Sequence, residues 1–573
     1  MCRVVLDIET NMAHDHIWLC VTKDIDTKEV RIWKEAKSLK DYLKGTTLIV
    51  GHNAIAFDCY LLNKLWNTKI RKTTIHDTLV VSRLLDPSRE RGHSLDAWGK
   101  ELTAQKLDYR AVWLWLTNRS SVDTPKGMEF DEPHLPLLAR YCVKDVRVTE
   151  ALYHRLVKDK KAKGFSDESV QLEHDVAAII AEQTRNGFRL DVQYATMLLT
   201  DVKGRLDTIY ESMQARWPPQ TVERVSDKTG KRLKDATVVF NPGSRQQIGE
   251  KLKELGWKPK KLTPTGHPIV DEGVLAALKY PEAKMIAEYL MLQKRVAQIS
   301  SWMEAVGVNG RVHGKVITNG AVTGRMTHST PNMAQIPNAG SVYGPECREC
   351  WTVDDGNVLV GCDASGLELR MLAHYMQDAE YIKVVTEGSS KDGTDVHTVN
   401  QRAAGLATRD NAKTFIYAFL YGAGDSKIGS IVGGGERAGR GLKETFLSNL
   451  PSLAGLLERT KKHARSGAVK GLDGRNIWIR SEHAALNSLL QGAGAVVMKK
   501  ALVLMYKKLH WRDIPFKLVA NVHDEFQIEC PEKHGDAVGR AAVESIREAG
   551  VALKLRCPLD GEYKIGRNWR ETH

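Results

Sequence analysis

The chain has 573 residues, and its 83 Lys and Arg against 70 Asp and Glu give a formal net charge of +13. This length exceeds the roughly 250–300 residues over which a single hydrophobic core grows, so we expect several domains. The positive excess favours a polyanionic partner, because basic side chains neutralise phosphates. Solubility alone would explain the charge but not its clustering.

Nine cysteines are scattered along the chain without a regular spacing, which favours a reducing compartment over a disulfide framework. Cys347 and Cys350 have zinc-ligand spacing, but no second Cys or His pair nearby would complete a tetrahedral site. No signal peptide and no apolar run of roughly 18 residues is evident. We therefore expect a soluble intracellular protein with no membrane partner.

The first 155 residues or so alternate short apolar strands with amphipathic helices, which predicts an α/β unit. The strands are predicted at residues 4–6 and 48–50 and a helix at residues 137–156. The next part is largely helical, since apolar residues recur at a spacing near 3.6. The predicted helices span residues 170–183, 194–216, 245–255 and 282–298, with a basic loop over residues 217–239.

The remaining residues mix strands and helices, which fits the α+β class. Strands are predicted at residues 311–317 and 358–362 and on both sides of Asp524, and helices at residues 409–421 and 483–507. Two Gly-rich runs, at residues 422–424 and 433–435, lack the strand-then-helix context of a phosphate-binding loop. They predict helix ends and a connecting loop.

Asp7 and Glu9 are two apart on a predicted strand, so both side chains project from the same face. Two carboxylates on one face repel each other unless a cation lies between them. Asp58 follows a second apolar strand, and Tyr141 and Asp145 share a helix face because they are four apart. Four carboxylates can hold two divalent metals, and a phenol can orient an attacking water. An Asp-x-Glu pair alone is more often solvated surface.

A second carboxylate pair is predicted where two strands end. Asp363 is at the polar end of the predicted strand 358–362, and Asp524 lies in the turn of a predicted hairpin. Two such ends brought together can hold two Mg²⁺ ions across one phosphate. This arrangement indicates phosphoryl-transfer chemistry.

One predicted helix carries a stripe of side chains at steps of four: Arg409, Lys413, Tyr417 and Tyr421. The stripe is basic at the N-terminal end, where the helix dipole favours phosphate, and aromatic further on, where a base can stack. A nucleoside triphosphate matches this order, because it carries phosphates at one end and an aromatic base at the other. The simpler alternative is an amphipathic helix with a cationic edge that lies along apolar surface.

These residues together resemble known families. The acid-x-acid, Asn53-x4-Asp58 and Tyr-x3-Asp pattern resembles the DEDDy proofreading exonucleases. Residues 363–370, the stripe over residues 409–422 and residues 522–525 resemble motifs A, B and C of the family A DNA polymerases. Residues 323–328, 334–337 and 473–475 are similar to the replicative polymerases of T-odd-like bacteriophages. The resemblance spans nearly the whole chain.

The resemblance implies a multidomain protein of α/β and α+β class. An N-terminal RNase H-like DEDDy exonuclease would precede a right-hand polymerase of thumb, palm and fingers. The implied division is exonuclease 1–158; connector and helical thumb 159–300, with the short basic loop near 217–239; palm 301–375 and 487–573; and fingers 376–486. Each active site is expected to use two Mg²⁺ ions, for which Mn²⁺ can substitute.

The family also implies roles for individual residues. Asp363 and Asp524 would bind both polymerase metals, and the carbonyl of Ala364 would complete one metal shell. The exonuclease metals would be bound by Asp7, Glu9, Asp58 and Asp145. The triphosphate would contact His397, Arg409 and Lys413, and Lys413 would also protonate the leaving pyrophosphate.

Further implied roles concern the nucleotide pocket and the DNA. Glu368 would fill the space of a ribose 2′-hydroxyl and so exclude ribonucleotides. Tyr417 implies tolerance of dideoxynucleotides, and Tyr421 would close the template side of the pocket. Three residues would contact DNA: Arg325 and Gln491 in the minor groove and His523 beside the primer end.

The chain departs from T-odd phage polymerases at the thumb, where those enzymes carry a long insertion that captures the host's thioredoxin. Here residues 217–239 are short, so thioredoxin is not an expected partner. The basic residues in this loop either contact duplex DNA or are simply solvated: Lys228, Lys231, Arg232 and Lys234. No 5′ nuclease domain is expected, since the exonuclease acids begin at Asp7.

The sequence thus predicts a DNA-dependent DNA polymerase with 3′–5′ proofreading, acting in phage replication in the cytoplasm of a bacterial host. Primer-template DNA and dNTPs are the expected partners, with a phage helicase–primase and a single-strand binding protein as further candidates. A single-subunit RNA polymerase shares the palm, but Glu368 and the exonuclease motifs argue against it. A non-catalytic nucleic-acid clamp would have lost metal-binding carboxylates, and none is missing here.

Overall fold

The computed structural model describes residues 2–104, 106–225 and 230–573. Its strands are β1 (Cys2–Thr10), β2 (Ile17–Asp24), β3 (Val30–Trp33), β4 (Thr46–Gly51), β5 (Ile75–Asp77), β6 (Phe188–Leu190), β7 (Gln220–Val225), β8 (Arg232–Val238), β9 (Arg311–Val312), β10 (Lys315–Ile317), β11 (Thr327–Ser329), β12 (Trp351–Thr352), β13 (Asn357–Ala364), β14 (Ala468–Lys470), β15 (Asn476–Trp478), β16 (Lys517–Val522), β17 (Glu525–Pro531) and β18 (Gly561–Gly566).

The α-helices fall into an N-terminal group and a C-terminal group. The first comprises α1 (Ala36–Leu43), α2 (Asp58–Trp66), α3 (Thr78–Leu85), α4 (Leu95–Glu101), α5 (Tyr109–Thr117), α6 (Met128–Asp131), α7 (Leu135–Lys163), α8 (Asp167–Asn186), α9 (Val192–Arg216), α10 (Arg245–Glu254), α11 (Glu272–Ala277) and α12 (Pro281–Glu304). The second comprises α13 (Gly344–Glu349), α14 (Leu367–Met376), α15 (Ala379–Glu387), α16 (Val396–Ala404), α17 (Arg409–Leu420), α18 (Asp425–Ser430), α19 (Glu436–Asn449), α20 (Pro451–Ala464), α21 (Ala485–Trp511) and α22 (Gly535–Ala552).

The N-terminal unit is a five-stranded mixed sheet in the order β3-β2-β1-β4-β5 with helices on both faces. Strand β1 pairs in parallel with β4 and antiparallel with β2. Val4, Leu6 and Ile8 belong to one apolar cluster, whereas Val5 packs with Cys142 of α7 in another cluster. Because side chains alternate along a strand, Asp7 and Glu9 share the Val5 side and face α7.

The helical region after this unit contains the four predicted helices, with bounds that differ by a few residues. Helices α9 and α12 pack along each other, and a small apolar cluster that includes Met213, Trp217 and Phe240 closes one end of the pair. Helix α9 begins after Asp191, whose side chain accepts the backbone N–H of Tyr194.

The predicted loop over residues 217–239 is wrong, because these residues carry an antiparallel hairpin of β7 and β8. Thr221, Val222 and Thr237 supply the β-branched residues that strands favour. The Pro and Gly residues flank the strands rather than interrupt them: Pro218, Pro219 and Gly230. Lys228 lies outside the described residues.

The C-terminal half is built on an antiparallel sheet in the order β16-β17-β13-β18. His523 and Asp524 form the two-residue turn that joins β16 to β17, and His523 has a positive φ of 57°. Helix α22 packs against this sheet and α21 packs on α22, and one apolar core continues from them into α14–α20. The expected boundaries at residues 158 and 300 fall within α7 and α12, so each of these elements ends a few residues later.

Helix α8 connects the two halves through adjacent residues. Nε2 of His174 accepts the backbone N–H of Asp77 at 2.8 Å, in the N-terminal unit. Glu173 points to the other half, where its Oε1 lies 2.7 Å from Nζ of Lys499 and 2.6 Å from Nη1 of Arg475. All three charged side chains are buried. Since neighbouring helical residues point about 100° apart, one turn of α8 contacts both halves.

Within the described residues, one helical stretch, Glu482–Trp511, has the length and hydropathy of a membrane span. However, 83% of its apolar window is buried inside the protein. Its apolar side chains are core residues that pack against α8, α14 and α22.

Candidate active sites

Asp363 and Asp524 are brought together at one edge of the C-terminal sheet. Asp363 lies near the end of the central strand β13, opposite Glu525 of β17. The backbone N–H of Ala364 donates to the backbone carbonyl of Asp524 at 3.1 Å, which ties the strand end to the turn. Both side chains therefore extend from adjacent backbone positions, as two strand ends in register require.

The electrostatics of this edge favour a bound cation. Burial, together with the charges of Asp524 and Glu525, raises the pKa of Asp363 to about 7. Burial also raises the pKa of Asp524. Neither carboxylate forms an ion pair with a basic side chain in the part of the chain that the structure describes. Oxygen ligands with uncompensated negative charge fit Mg²⁺, and Ala364 is placed beside them.

Glu525 has a supporting role that the sequence did not indicate. Its buried Oε1 accepts a hydrogen bond from Nε1 of Trp569 at 2.6 Å and another from Gln527, and His573 lies 3.4 Å from its Oε2. Burial alone would raise the pKa of Glu525, but these three partners together lower it. Glu525 is therefore a fixed anion behind Asp363.

The first turn of helix α17 presents Arg409, which forms an ion pair with Asp395 at 2.8 Å. Asp395 also accepts the backbone N–H of His397 at 3.1 Å and so caps α16. Burial alone would raise the pKa of Asp395, but Arg409, Thr398 and the His397 N–H lower it to about 2. Asp395 was not predicted as a site residue, although an Asp directly before Val-His-Thr is a typical helix-cap signal.

The rest of the stripe on α17 is arranged as its spacing predicts. Lys413 is exposed and makes no ion pair among the described residues. The rings of Tyr417 and Tyr421 stack with centroids 6.5 Å apart, and the ring centroid of His397 lies 6.2 Å from that of Tyr417. Nδ1 of His397 is buried without a hydrogen-bond partner in the described structure. Burial, with Arg409 nearby, lowers the pKa of His397, which is therefore neutral at pH 7.

Glu368 joins residues from three segments. Its Oε2 accepts the hydroxyl of Tyr421 at 2.8 Å, and its Oε1 lies 3.2 Å from Nη2 of Arg325. Arg325 and His523 also line one small pocket together with Ala495 of α21. Gln491, half-exposed, is one helical turn before Ala495 and lies on the same helix face. The predicted DNA contacts thus surround the same edge of the sheet.

A buried charge cluster lies beneath the Arg325 loop. Arg475 pairs with Glu173 at 2.6 Å and with Asp473 at 2.7 Å. Gly324 has φ +76°, and a Cβ there would lie 3.1 Å from Nη1 of Arg475. The Arg475 guanidinium therefore lies close to the loop that carries Arg325 and leaves little room for a side chain at position 324.

The second group of carboxylates lies in the N-terminal unit. Ligand atoms of Asp7, Glu9 and Cys142 all lie within 4.8 Å of one another. Asp58, at the start of α2, accepts the backbone N–H of Ile8 at 3.1 Å, and so contacts β1 between the two acids. Asp145 projects from α7 toward the same place, because its charge acts on both Asp7 and Glu9.

Burial shifts the pKa of all four carboxyl groups upward, and repulsion by the neighbouring acids adds to the shift at Asp7 and Glu9. Burial, then the neighbouring acids, raises the pKa of Asp7 and of Glu9 well above the usual range. Burial raises the pKa of Asp58 to about 7 and also raises the pKa of Asp145. Four buried acids that share one space favour a divalent cation, and their oxygen atoms fit Mg²⁺.

Tyr141 lies beside these acids on α7. Burial, followed by the charge of Asp145, raises the pKa of Tyr141, so its phenol stays protonated at neutral pH. Two contacts escaped the sequence analysis: Lys106 lies 2.5 Å from Asp145, and Sγ of Cys142 lies 3.4 Å from Oδ2 of Asp7. Lys106 is in a loop and carried no sequence signal.

Comparison with known proteins identifies the family of the chain. The sequence profile of DNA polymerase family A matches residues 213–571. The chain is 35% identical to the DNA-directed DNA polymerase of Enterobacteria phage T3, with 94% of each chain covered. It is 36% identical to the DNA-directed DNA polymerase of Escherichia phage T7, with 92% of each covered.

More distant similarities extend to bacterial enzymes. The chain is 27% identical to the thermostable DNA polymerase I of Thermus aquaticus over 70% of this chain and 48% of that one. Its fold is similar to the POL domain of Pol1 from M. smegmatis, solved as a complex with DNA primer-template and dNTP. That match has a TM-score of 0.78 at 19% identity and covers 100% of this chain and 96% of the other. The chain therefore belongs to DNA polymerase family A.

Proposed function

We propose that this polymerase extends a DNA primer with dNTPs at the Asp363–Asp524 edge and removes 3′ nucleotides at the Asp7–Asp145 site. Template-directed DNA synthesis is the activity of this family member. The observation that carries the placement of the polymerase site is the 3.1 Å hydrogen bond from Ala364 to the Asp524 carbonyl. This hydrogen bond holds the carboxylates of Asp363 and Asp524, which form no ion pair in the described structure, together at one edge of the sheet.

Bound divalent cations at Asp363 and Asp524 would make the primer 3′-hydroxyl a better nucleophile and offset the negative charge of the triphosphate. The primer oxygen attacks the α-phosphate in line, and the bond from that phosphorus to the pyrophosphate oxygen breaks. Arg409 binds the triphosphate once it exchanges Asp395 for phosphate oxygens. Lys413 is exposed and unpaired in the described structure, which suits it to donate a proton to the leaving pyrophosphate.

The pocket around the incoming nucleotide follows from the neighbouring side chains. His397, neutral at pH 7, offers a hydrogen bond to a phosphate oxygen. Glu368 occupies the space beside the sugar, where a 2′-hydroxyl would clash. Tyr417 and Tyr421 would present aromatic faces to the base and sugar. We expect the Tyr417 hydroxyl to confer tolerance of dideoxynucleotides.

Three residues are proposed to contact the primer-template. Arg325 and Gln491 donate hydrogen bonds to minor-groove acceptors that all base pairs share, so they test shape rather than sequence. His523 sits beside the primer end, in the turn that carries Asp524. In the thumb, exposed Lys231 and Lys234 are available to duplex DNA, whereas Arg232 is already paired with Glu223 at 2.9 Å.

The N-terminal unit is proposed to be a 3′–5′ exonuclease. Asp7, Glu9, Asp58 and Asp145 would hold two divalent cations. The protonated hydroxyl of Tyr141 would orient a water molecule toward the terminal phosphodiester. The proposed division keeps the exonuclease, thumb, palm and fingers of the sequence analysis, with the first boundary moved to the end of α7 at Lys163.

A gel assay on an end-labelled primer-template tests both sites at once. With Mg²⁺, the wild-type protein should lengthen the primer when dNTPs are present and shorten it when they are absent. Asp524→Ala should abolish extension and retain degradation, and Asp7→Ala should do the reverse. Loss of both activities in either folded variant would contradict the two-site assignment. DNA binding without any change in length would instead favour the clamp.

A further inference from the structure

Lys106 lies among the N-terminal acids, in the segment between α4 and α5. Its Nζ is 2.5 Å from Oδ2 of Asp145 and 5.0 Å from the ring centroid of Tyr141. The side chain of Lys106 is only 20% exposed, and that of Asp145 is 5% exposed. In residues 2–104, 106–225 and 230–573, no other Lys or Arg pairs with any of the four acids.

This ion pair uses only one of the two carboxylate oxygens of Asp145. Oδ1 of Asp145 is buried and has no hydrogen-bond partner in the described structure. A buried carboxylate oxygen without a partner is costly, so the site is arranged to accept another donor or a cation. Lys106 thus offsets part of the charge of the acid cluster through Oδ2, and Oδ1 of Asp145 keeps no partner in the described structure.

We propose that Lys106 is a positioning residue that competes with a divalent cation for Asp145 and holds Asp145 and Tyr141 in place until that cation binds. The inference rests on the proposed exonuclease function. Without metal, the ammonium group is the counter-charge that lets the buried acids remain close. When a divalent cation binds, the same ammonium group repels it, so Lys106 lowers the metal affinity of the site.

This role differs from that of a lysine that merely supports the fold. A purely structural lysine would stabilise the protein equally with and without metal. A competing lysine stabilises the protein mainly when metal is absent, and its removal tightens metal binding. Removal of a purely structural lysine should therefore leave the metal affinity unchanged, whereas removal of a competing lysine should increase it.

The test measures Mn²⁺ binding by the electron paramagnetic resonance signal of free Mn²⁺, in an Asp524→Asn background that weakens the polymerase site. Lys106→Met retains the length of the side chain without its charge, and Lys106→Gln is a second neutral variant in case the first does not fold. Lys106→Arg keeps the charge. Lys100→Gln is the matched control, because Lys100 pairs with Asp96 on the exposed surface of α4.

We expect the neutral variants to bind Mn²⁺ roughly three- to tenfold more tightly, as loss of one nearby like charge implies. Lys106→Arg and Lys100→Gln should match the parent. The melting temperature of the neutral variants should fall below that of the parent in EDTA, and the difference should close at saturating Mn²⁺.

Two results would overturn the inference alone. In the first, the parent binds Mn²⁺, and the neutral variants bind it with the same or a lower affinity. In the second, the neutral variants lose the same melting temperature with and without Mn²⁺. Asp145→Asn in the same background should remove the binding. If the parent itself shows no Asp145-dependent Mn²⁺ binding, both the exonuclease proposal and the role of Lys106 fail.

Discussion

The hydroxyl of Tyr421 donates a hydrogen bond to Oε2 of Glu368 at 2.8 Å, across 53 positions of the chain. The other oxygen of Glu368 is paired with Arg325. A single carboxylate of α14 therefore links the residue that ends α17 and the loop proposed to contact the minor groove. In the proposed nucleotide pocket, the position of Glu368 is thus set from two sides.

Glu368 should exclude ribonucleotides by its volume rather than its charge. Glu368→Ala should lower the preference for dATP over ATP by roughly 10- to 200-fold, the range that small steric differences in a pocket produce. Glu368→Gln keeps nearly the same volume and should retain the preference. The ratio of the kcat/KM values for dATP and ATP measures this preference. An equal loss of preference in both variants would show that charge is responsible.

Arg409 and Lys413 should differ in the kinetic constant that they control. Lys413→Ala should lower kcat by about 10²–10⁴-fold, because it removes a proton donor to the leaving group. Arg409→Ala should mainly raise the KM for dNTP, because Arg409 binds the triphosphate before and during the reaction. Single-nucleotide incorporation kinetics separate the two, and a pure KM effect for Lys413→Ala would argue against proton donation.

Asp58 should make stability depend on pH when metal is absent. Its pKa of about 7 exceeds that of an unfolded Asp, about 3.9, so the folded protein binds the proton more tightly. The stabilisation is complete below the lower value and is lost as pH rises through the higher one. In EDTA, the melting temperature should fall between about pH 4 and about pH 7, and Asp58→Asn should reduce this fall. An identical fall in both proteins would contradict the assignment.

Glu173 should be essential for stability because two buried cations share it. Glu173→Gln leaves Lys499 and Arg475 without their common anion and should cost roughly 3–5 kcal/mol of unfolding free energy. Asp175→Asn, on the same helix but paired with exposed Lys507, should change stability by less than about 1 kcal/mol. Urea unfolding followed by tryptophan fluorescence compares them, and similar losses would refute the special role of Glu173.

Periodicity along the chain was enough to predict the local geometry of both candidate sites. Asp7 and Glu9 share a face because side chains alternate along a strand, and Arg409 and Lys413 form a stripe because helical neighbours are four apart. The same periodicities predicted β1, β4 and α7 of the N-terminal unit and most of the long helices. The β7–β8 hairpin was missed because its charged residues, and the Pro and Gly around them, outweighed a few β-branched residues.

The distant residues that complete each site could not be predicted from the sequence, because tertiary packing brings them together. Asp395 reaches Arg409, Lys106 reaches Asp145, and adjacent Glu173 and His174 bind opposite halves of the protein. Backbone periodicity fixes only the direction of a side chain relative to its neighbours in the chain. Contacts between segments far apart depend on how helices and sheets pack, and packing is decided by the whole hydrophobic core.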